Sequence, residues 1–203
     1  MQDSVQQRGR VQSAPHLRLL TWEGSDAELL ELIAMREDSA ASRFHDRFAS
    51  RVHALVRVLL GPDPAQARLV ECSLLRAFSG LYARPVNAGK LPSWVESHVV
   101  QVVRGYLRRR RLAARLGLAS VRFERDASED ALLFYERLTS VPTEARIAFC
   151  LRYVAGRALS DTALLCGCSL SLVRERLISA ERLLQPVAEQ DYSHDHPELG
   201  WES

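Results

Sequence analysis

The sequence predicts an all-α protein made of two small helical domains joined by a linker. Three observations predict it. Apolar residues recur at three- and four-residue spacings along most of the chain, and no stretch alternates as a strand does. Glycine and proline clusters such as Gly61-Pro62-Asp63-Pro64 interrupt that pattern at intervals suited to helix ends. The periodicity fades over 116–129 and then resumes, which divides the helices into two groups.

At 203 residues, 47% of them apolar, the chain can bury one large core or two small ones. No apolar run reaches the length of a bilayer, and Met1 to Arg10 lacks the apolar centre of a signal peptide. A cytoplasmic protein without membrane insertion is therefore expected. The net charge of +2 does not mark a nucleic-acid binder, so the placement of the cations must carry that argument. Lys90 is the only lysine; every other basic side chain is arginine, whose planar fork suits phosphates and guanine edges.

Residues 1–24 are rich in Gln, Arg and Ser and read as a flexible extension. Ser25 and Glu28 have capping-box spacing and open a first helix with Leu29, Leu32 and Ile33 on one face. A second helix, from about Ser39 to Leu60, aligns Phe44, Phe48, Val52, Leu55 and Leu59. The third, about Pro64 to Ala83, aligns Val70, Leu74, Ala77 and Leu81 and ends before Pro85. The fourth opens at Ser93, presents Val95, Val99, Val102 and Tyr106, and runs into Arg108-Arg109-Arg110-Arg111. Arg104 and Arg115 lie a turn to either side. These four helices make a first domain at 25–115, followed by a linker at 116–129.

The second domain, 130–185, begins with Leu132, Leu133 and Leu138. Pro142 is well placed at a helix start, where its missing N–H costs nothing. Ile147, Cys150, Leu151 and Val154 face inward, Gly156 ends that helix, and Leu159, Thr162, Ala163 and Cys166 serve the next. Then comes the turn Cys166-Gly167-Cys168-Ser169. Gly167 sits where a positive φ is needed, and Ser169 can cap the helix that follows. In that last helix Val173, Leu177, Ala180 and Leu184 share one face, and Ser171, Arg174, Glu175, Ile178 and Arg182 lie on the other. These are the parts of a helix-turn-helix DNA reader, and equally of an ordinary helical hairpin. The acidic stretch 186–203 reads as a flexible tail.

Cys72 and Cys150 fall on apolar helix faces, and the Cys166–Cys168 pair is too sparse for zinc, so all four read as buried thiols. His16, His45, His53 and His98 are spread along the chain with no nucleophile or carboxylate constellation, and no glycine-rich phosphate loop is present. No enzyme, metal or cofactor is expected. Four consecutive arginines exceed what a favourable cationic helix end requires, which points to nucleic acid.

In order and spacing these segments resemble the bacterial RNA polymerase sigma factors, specifically the compact two-domain extracytoplasmic-function type. The family's opening acidic residue and Leu-Leu are matched by Asp26 and Leu29-Leu30, and its Gly-Asp and Ala-Phe by Glu37-Asp38 and Arg43-Phe44. The helix with the family's Asp-Leu-Val-Gln-Glu-x-Phe-Leu-Arg-Ala-Trp reads Arg68-Leu69-Val70-Glu71-Cys72-Ser73-Leu74-Leu75-Arg76-Ala77-Phe78. Trp94-Val95 matches the family's Trp-Leu ahead of the arginine cluster. Further on, Val141-Pro142 with Arg146, Leu151-Arg152-Tyr153, Asp161-Thr162-Ala163, Gly167-Cys168-Ser169 and Leu172-Val173-Arg174 follow the family's second domain. The match covers about residues 25–185. Arg68 and Gly105 stand where the family has aspartate, Gln101 where it has asparagine, and Leu172 where it has threonine.

The resemblance implies partners and sites. Core RNA polymerase would be bound by Arg68, Val70, Glu71, Leu75 and Arg76 of the third helix. The minus-ten promoter strand would be held by Arg104, Arg108, Arg109, Arg110 and Arg111, with Gln101 beside them and Trp94 or Tyr106 as aromatic surfaces. In the helix-turn-helix, which Ser169 begins, Ser171, Arg174, Glu175 and Ile178 would approach bases of the minus-thirty-five element, and Arg176 and Arg182 would hold phosphate. An anti-sigma factor is a further implied partner. Two alternatives stay open: a sigma-fold regulator that binds polymerase or an anti-sigma factor without opening promoters, and a dimeric helix-turn-helix regulator of duplex DNA.

Overall fold

The computed structural model describes residues 24–118 and 128–185; the extension at 1–23, most of the expected linker and the tail at 186–203 lie outside the described residues. Every regular element among the described residues is helical. The α-helices are α1 (Asp26–Ala34), α2 (Ala40–Leu60), α3 (Gln66–Ala83), α4 (Leu91–Arg115), α5 (Glu129–Ser140), α6 (Thr143–Phe149), α7 (Leu159–Cys166) and α8 (Leu170–Leu184). A 3-10 turn at Ala88–Lys90 leads into α4, and a π-helical turn at Cys150–Val154 continues α6.

The first helices form because their caps and stripes agree. Ser25 Oγ accepts the Glu28 N–H at 3.2 Å while the Glu28 carboxylate accepts the Ser25 N–H at 2.8 Å, so the expected capping box is present. On α2, Phe44, Phe48, Val52, Leu55 and Leu59 are all buried, and α3 and α4 pack against that stripe. Phe44 meets Phe48 and Phe78 at ring separations of 5.0 and 5.3 Å. Helix α4 starts earlier than Ser93 because Pro92 is tolerated in its first turn, and this buries Leu91. In the second cluster α6 and α8 pack together with α7 beside them, burying Ile147, Leu151, Val173, Leu177 and Ala180.

Four inward assignments fail. The buried stripe of α3 runs through Leu69, Ser73, Ala77 and Leu81, so Val70 is half-buried and Cys72 is exposed. On α5 only Leu138 is fully buried and Leu133 faces out, because the helix lies at the rim of the cluster. Val154 is exposed as well: the wider π turn rotates it away from the core that Leu151 enters.

The two clusters meet along α4, which contacts α6 and α7, and along α2, which contacts the π turn. Buried residues form one continuous apolar core across both. Arg146, 3% exposed, donates to the Leu59 and Leu60 carbonyls at 3.1 Å each and so caps the C-terminus of α2 from the second cluster. The Tyr135 hydroxyl donates to the Val58 carbonyl at 2.9 Å, and its ring rests on Gly61. Gly61 has φ of 71°, and a Cβ there would overlap the tyrosine ring, so conformation and space both demand glycine. Glu96, 4% exposed, accepts from Arg51 at 2.6 Å and Arg157 at 2.5 Å, tying α2, α4 and the segment before α7. Burial pushes the Tyr135 hydroxyl up to about 12 and holds the Arg146 guanidinium below its ordinary value.

Candidate nucleic-acid and polymerase interfaces

Helix α4 distributes its arginines to three different surroundings, because successive residues lie about 100° apart around a helix. Arg104, Arg108 and Arg111, at spacings of four and three, face the second cluster. The Glu144 carboxylate, in the first turn of α6, accepts from Arg104 Nε at 3.1 Å and from Arg108 at 2.6 Å. Arg104 also donates to the Cys166 carbonyl at 2.9 Å, and Arg111 to the Val141 carbonyl at 3.3 Å. Arg110 turns the other way and pairs with Asp63, which is 1% exposed. The same carboxylate accepts the Tyr106 hydroxyl at 3.0 Å and the Ala65 N–H at 2.9 Å. Burial first, then the Asp63 charge, raises the Tyr106 pKa.

Arg109 points elsewhere. With Gln101 and Gly105 it follows a four-residue spacing along the α4 face that looks onto α3. There it borders an open groove of about 720 Å³ whose other wall carries Arg68, Cys72 and Arg76, again four residues apart. Trp94 does not stand free. Its Nε1–H donates to the Ala77 carbonyl at 3.3 Å and its ring lies 4.4 Å from that of His98, filling the space that Gly80 leaves beside α3.

The residues expected to bind polymerase split the same way. Arg68 and Arg76 look onto α4, whereas Glu71 and Leu75 border a second groove, of about 330 Å³, between α2 and α3. That groove is apolar, lined by Phe44, Leu74 and Phe78, and Leu75 at its edge is 66% exposed. Val70 is half-buried against the core.

The turn before α8 has the geometry its sequence implied. Gly167 adopts φ 64° and ψ 42°, the left-handed conformation that ends α7. Ser169 Oγ accepts the Leu172 N–H at 3.3 Å and lies 2.9 Å from the Ser171 hydroxyl, capping α8. Ser171, Arg174, Glu175, Ile178 and Arg182 are exposed. Arg176 folds back instead: it donates to Cys168 Sγ at 3.3 Å and lies 3.8 Å from Glu144. Burial pushes the Cys166 thiol up to about 11 and Cys150 up to about 12, which makes both poor nucleophiles.

Sequence reasoning missed Asp63, Glu96 and Glu144, the carboxylates that engage the arginines. Asp63 sits inside a segment that reads only as a helix stop, and Glu96 and Glu144 are single helix acids that no motif or spacing marks out. The one available signal was arithmetic: so dense an arginine run requires counter-charges if any part of it is buried.

No protein-family model and no curated protein matches the chain significantly. Solved structures do match. CnrH in complex with the cytosolic domain of CnrY is 19% identical over 83% of this chain and 99% of that one, with a TM-score of 0.57. The sigma factor RpoE of Bartonella quintana, in complex with the anti-sigma factor NepR, is 18% identical over 75% and 99%, with a TM-score of 0.53. At this identity the likeness is one of fold: the chain has the all-helical fold shared by CnrH and the sigma factor RpoE.

Proposed function

We propose that the chain is a divergent extracytoplasmic-function sigma factor that directs core RNA polymerase to specific promoters. One observation carries this reading. In a sigma-factor fold, an open apolar groove on α2 and α3 coexists with a capped recognition helix whose Arg174, Glu175 and Ile178 stand exposed. An apolar groove of that kind suits a helical partner, here polymerase. An exposed, capped helix suits the major groove of the minus-thirty-five element. In this proposal the unit 25–115 binds polymerase and the minus-ten strand, 116–129 links, and 130–185 reads the upstream element. Catalysis belongs to the polymerase, and the chain works beside it in the cytoplasm. No helix among the described residues is long and apolar enough to cross a membrane.

Arg104, Arg108 and Arg111 are held by the second cluster, so the arrangement is a closed one, and the phosphate track opens only when the clusters part. That engagement favours a second reading, a sigma-fold regulator that binds polymerase or an anti-sigma factor without opening DNA. One related structure contains a named anti-sigma factor, which supports such a partner.

The test mixes purified chain with core polymerase on its own upstream region. A promoter-specific transcript with permanganate-reactive thymines is expected. Binding to core without a bubble selects the regulator, and no binding to core overturns the sigma-factor reading and leaves the regulator only as a binder of an anti-sigma factor.

A further inference from the structure

The arginines of this protein differ in how they are answered. Arg104, Arg108, Arg110 and Arg111 each have a carboxylate or carbonyl partner, while Arg68, Arg76 and Arg109 make no ion pair among the described residues. Those three unanswered cations border the same groove between α3 and α4. Its one acid, Asp63, is already engaged by Arg110 and Tyr106. Leu69, Val102 and the Tyr106 ring give the groove an apolar floor. It therefore fits an extended chain that is anionic and also carries aromatic or aliphatic groups.

We propose that the occupant is the chain's own C-terminal segment, 186–203, docked in this groove. The segment carries Glu189, Asp191, Asp195, Glu198 and Glu202 with no lysine or arginine, and Tyr192, Leu199 and Trp201 are interspersed among them. Its charge and its apolar content both complement the groove. Reach is sufficient. Arg176 of α8 lies 3.8 Å from Glu144, which pairs with Arg104 of α4, so α8 passes close to the groove-bearing helix. Gln185 is nine residues further on, about 13 Å along the helix axis. Passing round α4 adds roughly 10 to 20 Å, whereas eighteen extended residues span about 60 Å. The tether also supplies an effective concentration near 1 mM, at which a contact of only about 0.1 mM affinity is about 90% formed.

Docking there covers Arg109, a member of the run without an ion pair among the described residues, and sets five carboxylates where a nucleic-acid backbone would run. The segment is thus an internal competitor for polyanions. This consequence rests on the promoter-binding reading, but the contact itself does not, and it is measured without polymerase.

Cys72 lies in the groove and is the exposed thiol, which makes it a reporter position. In a Cys168→Ser background of the full chain, a bimane dye on Cys72 is expected to be quenched by Trp201. The emission should rise severalfold in Trp201→Phe, and equally in Arg68→Glu with Arg76→Glu, with thermal unfolding confirming that both variants fold. High salt should release the quench, as should added single-stranded DNA if the segment competes for it. An emission unchanged by Trp201→Phe overturns the proposal. A rise in Trp201→Phe without one in the arginine variant places the segment elsewhere and overturns the groove. A quench that fades on dilution assigns the occupant to a second copy and overturns the intrachain contact.

Discussion

The Glu144 carboxylate meets the Arg104 guanidinium at 3.1 Å although 40 positions separate them in the chain. The same acid also holds Arg108 at 2.6 Å and lies 3.8 Å from Arg176, so it draws three cations from α4 and α8 to one point. One negative charge cannot neutralise three positive ones. The clasp therefore joins the clusters while leaving a net positive field around itself, and at 24% side-chain exposure it is partly screened by solvent.

Glu144→Gln should loosen this joint and free the arginines it restrains. Affinity for DNA of any sequence should rise at low salt, and the salt dependence should steepen by about one to two released counterions. Fluorescence anisotropy across a salt series measures both. Identical slopes for the two proteins would show that the clasp does not gate the track.

Adjacent arginines should behave in opposite ways. Arg110 is 13% exposed against Asp63, so Asp63→Asn, which removes the answering charge, should cost about 3 kcal/mol or more in urea unfolding. Arg109 is exposed, and Arg109→Ala should change stability by less than about 0.5 kcal/mol. The same substitution should weaken DNA binding uniformly across sequences.

Leu75→Glu tests the apolar groove. With the side chain largely in solvent, the change should leave thermal stability nearly untouched yet abolish association with core polymerase in a pull-down. Wild-type binding by this variant would move the polymerase contact out of the groove between α2 and α3.

Alkaline titration should weaken the folded chain in a definite order. Cys150 and Cys166 ionise near 9 when unfolded, but burial pushes them up to about 12 and about 11 in the fold. Tyr135 is likewise raised, to about 12. Between the unfolded and folded values the unfolded chain has released protons that the folded chain retains, so stability falls as pH rises from about 9. Tyr135→Phe should be less stable at neutral pH, having lost its bond to Val58, by about 1 kcal/mol. Its stability should then fall less steeply above pH 10, by one proton, in urea unfolding at a series of pH values.

What was legible in the sequence was whatever depends on local chemistry. Ser25 with Glu28, the left-handed Gly167 and the Ser169 cap all appear as expected, because caps and turns are decided within four residues. The stripe of α2 appears for the same reason. The partners of α4 were not legible. Arg108, Arg109, Arg110 and Arg111 are alike as letters, and their separation into clasp, groove and buried pair depends on which helix packs on each side. Arg146 resembled a family motif residue, yet its contact is with carbonyls 86 and 87 positions away, a separation no spacing rule covers. Cys72 and Val154 were misplaced by small rotations, one from the choice of stripe on α3 and one from the π turn.

Gly61, with the Tyr135 ring laid over it and Arg146 Nη2 donating to the two carbonyls just before it, makes the end of α2 dependent on a neighbour remote in sequence. Whenever the second cluster withdraws, the last turn of that helix loses its stopper and frays. The amides of Leu59, Leu60 and Gly61 thus carry a built-in clock. Their hydrogen–deuterium exchange rates count how often the protein opens, with no label, ligand or polymerase required.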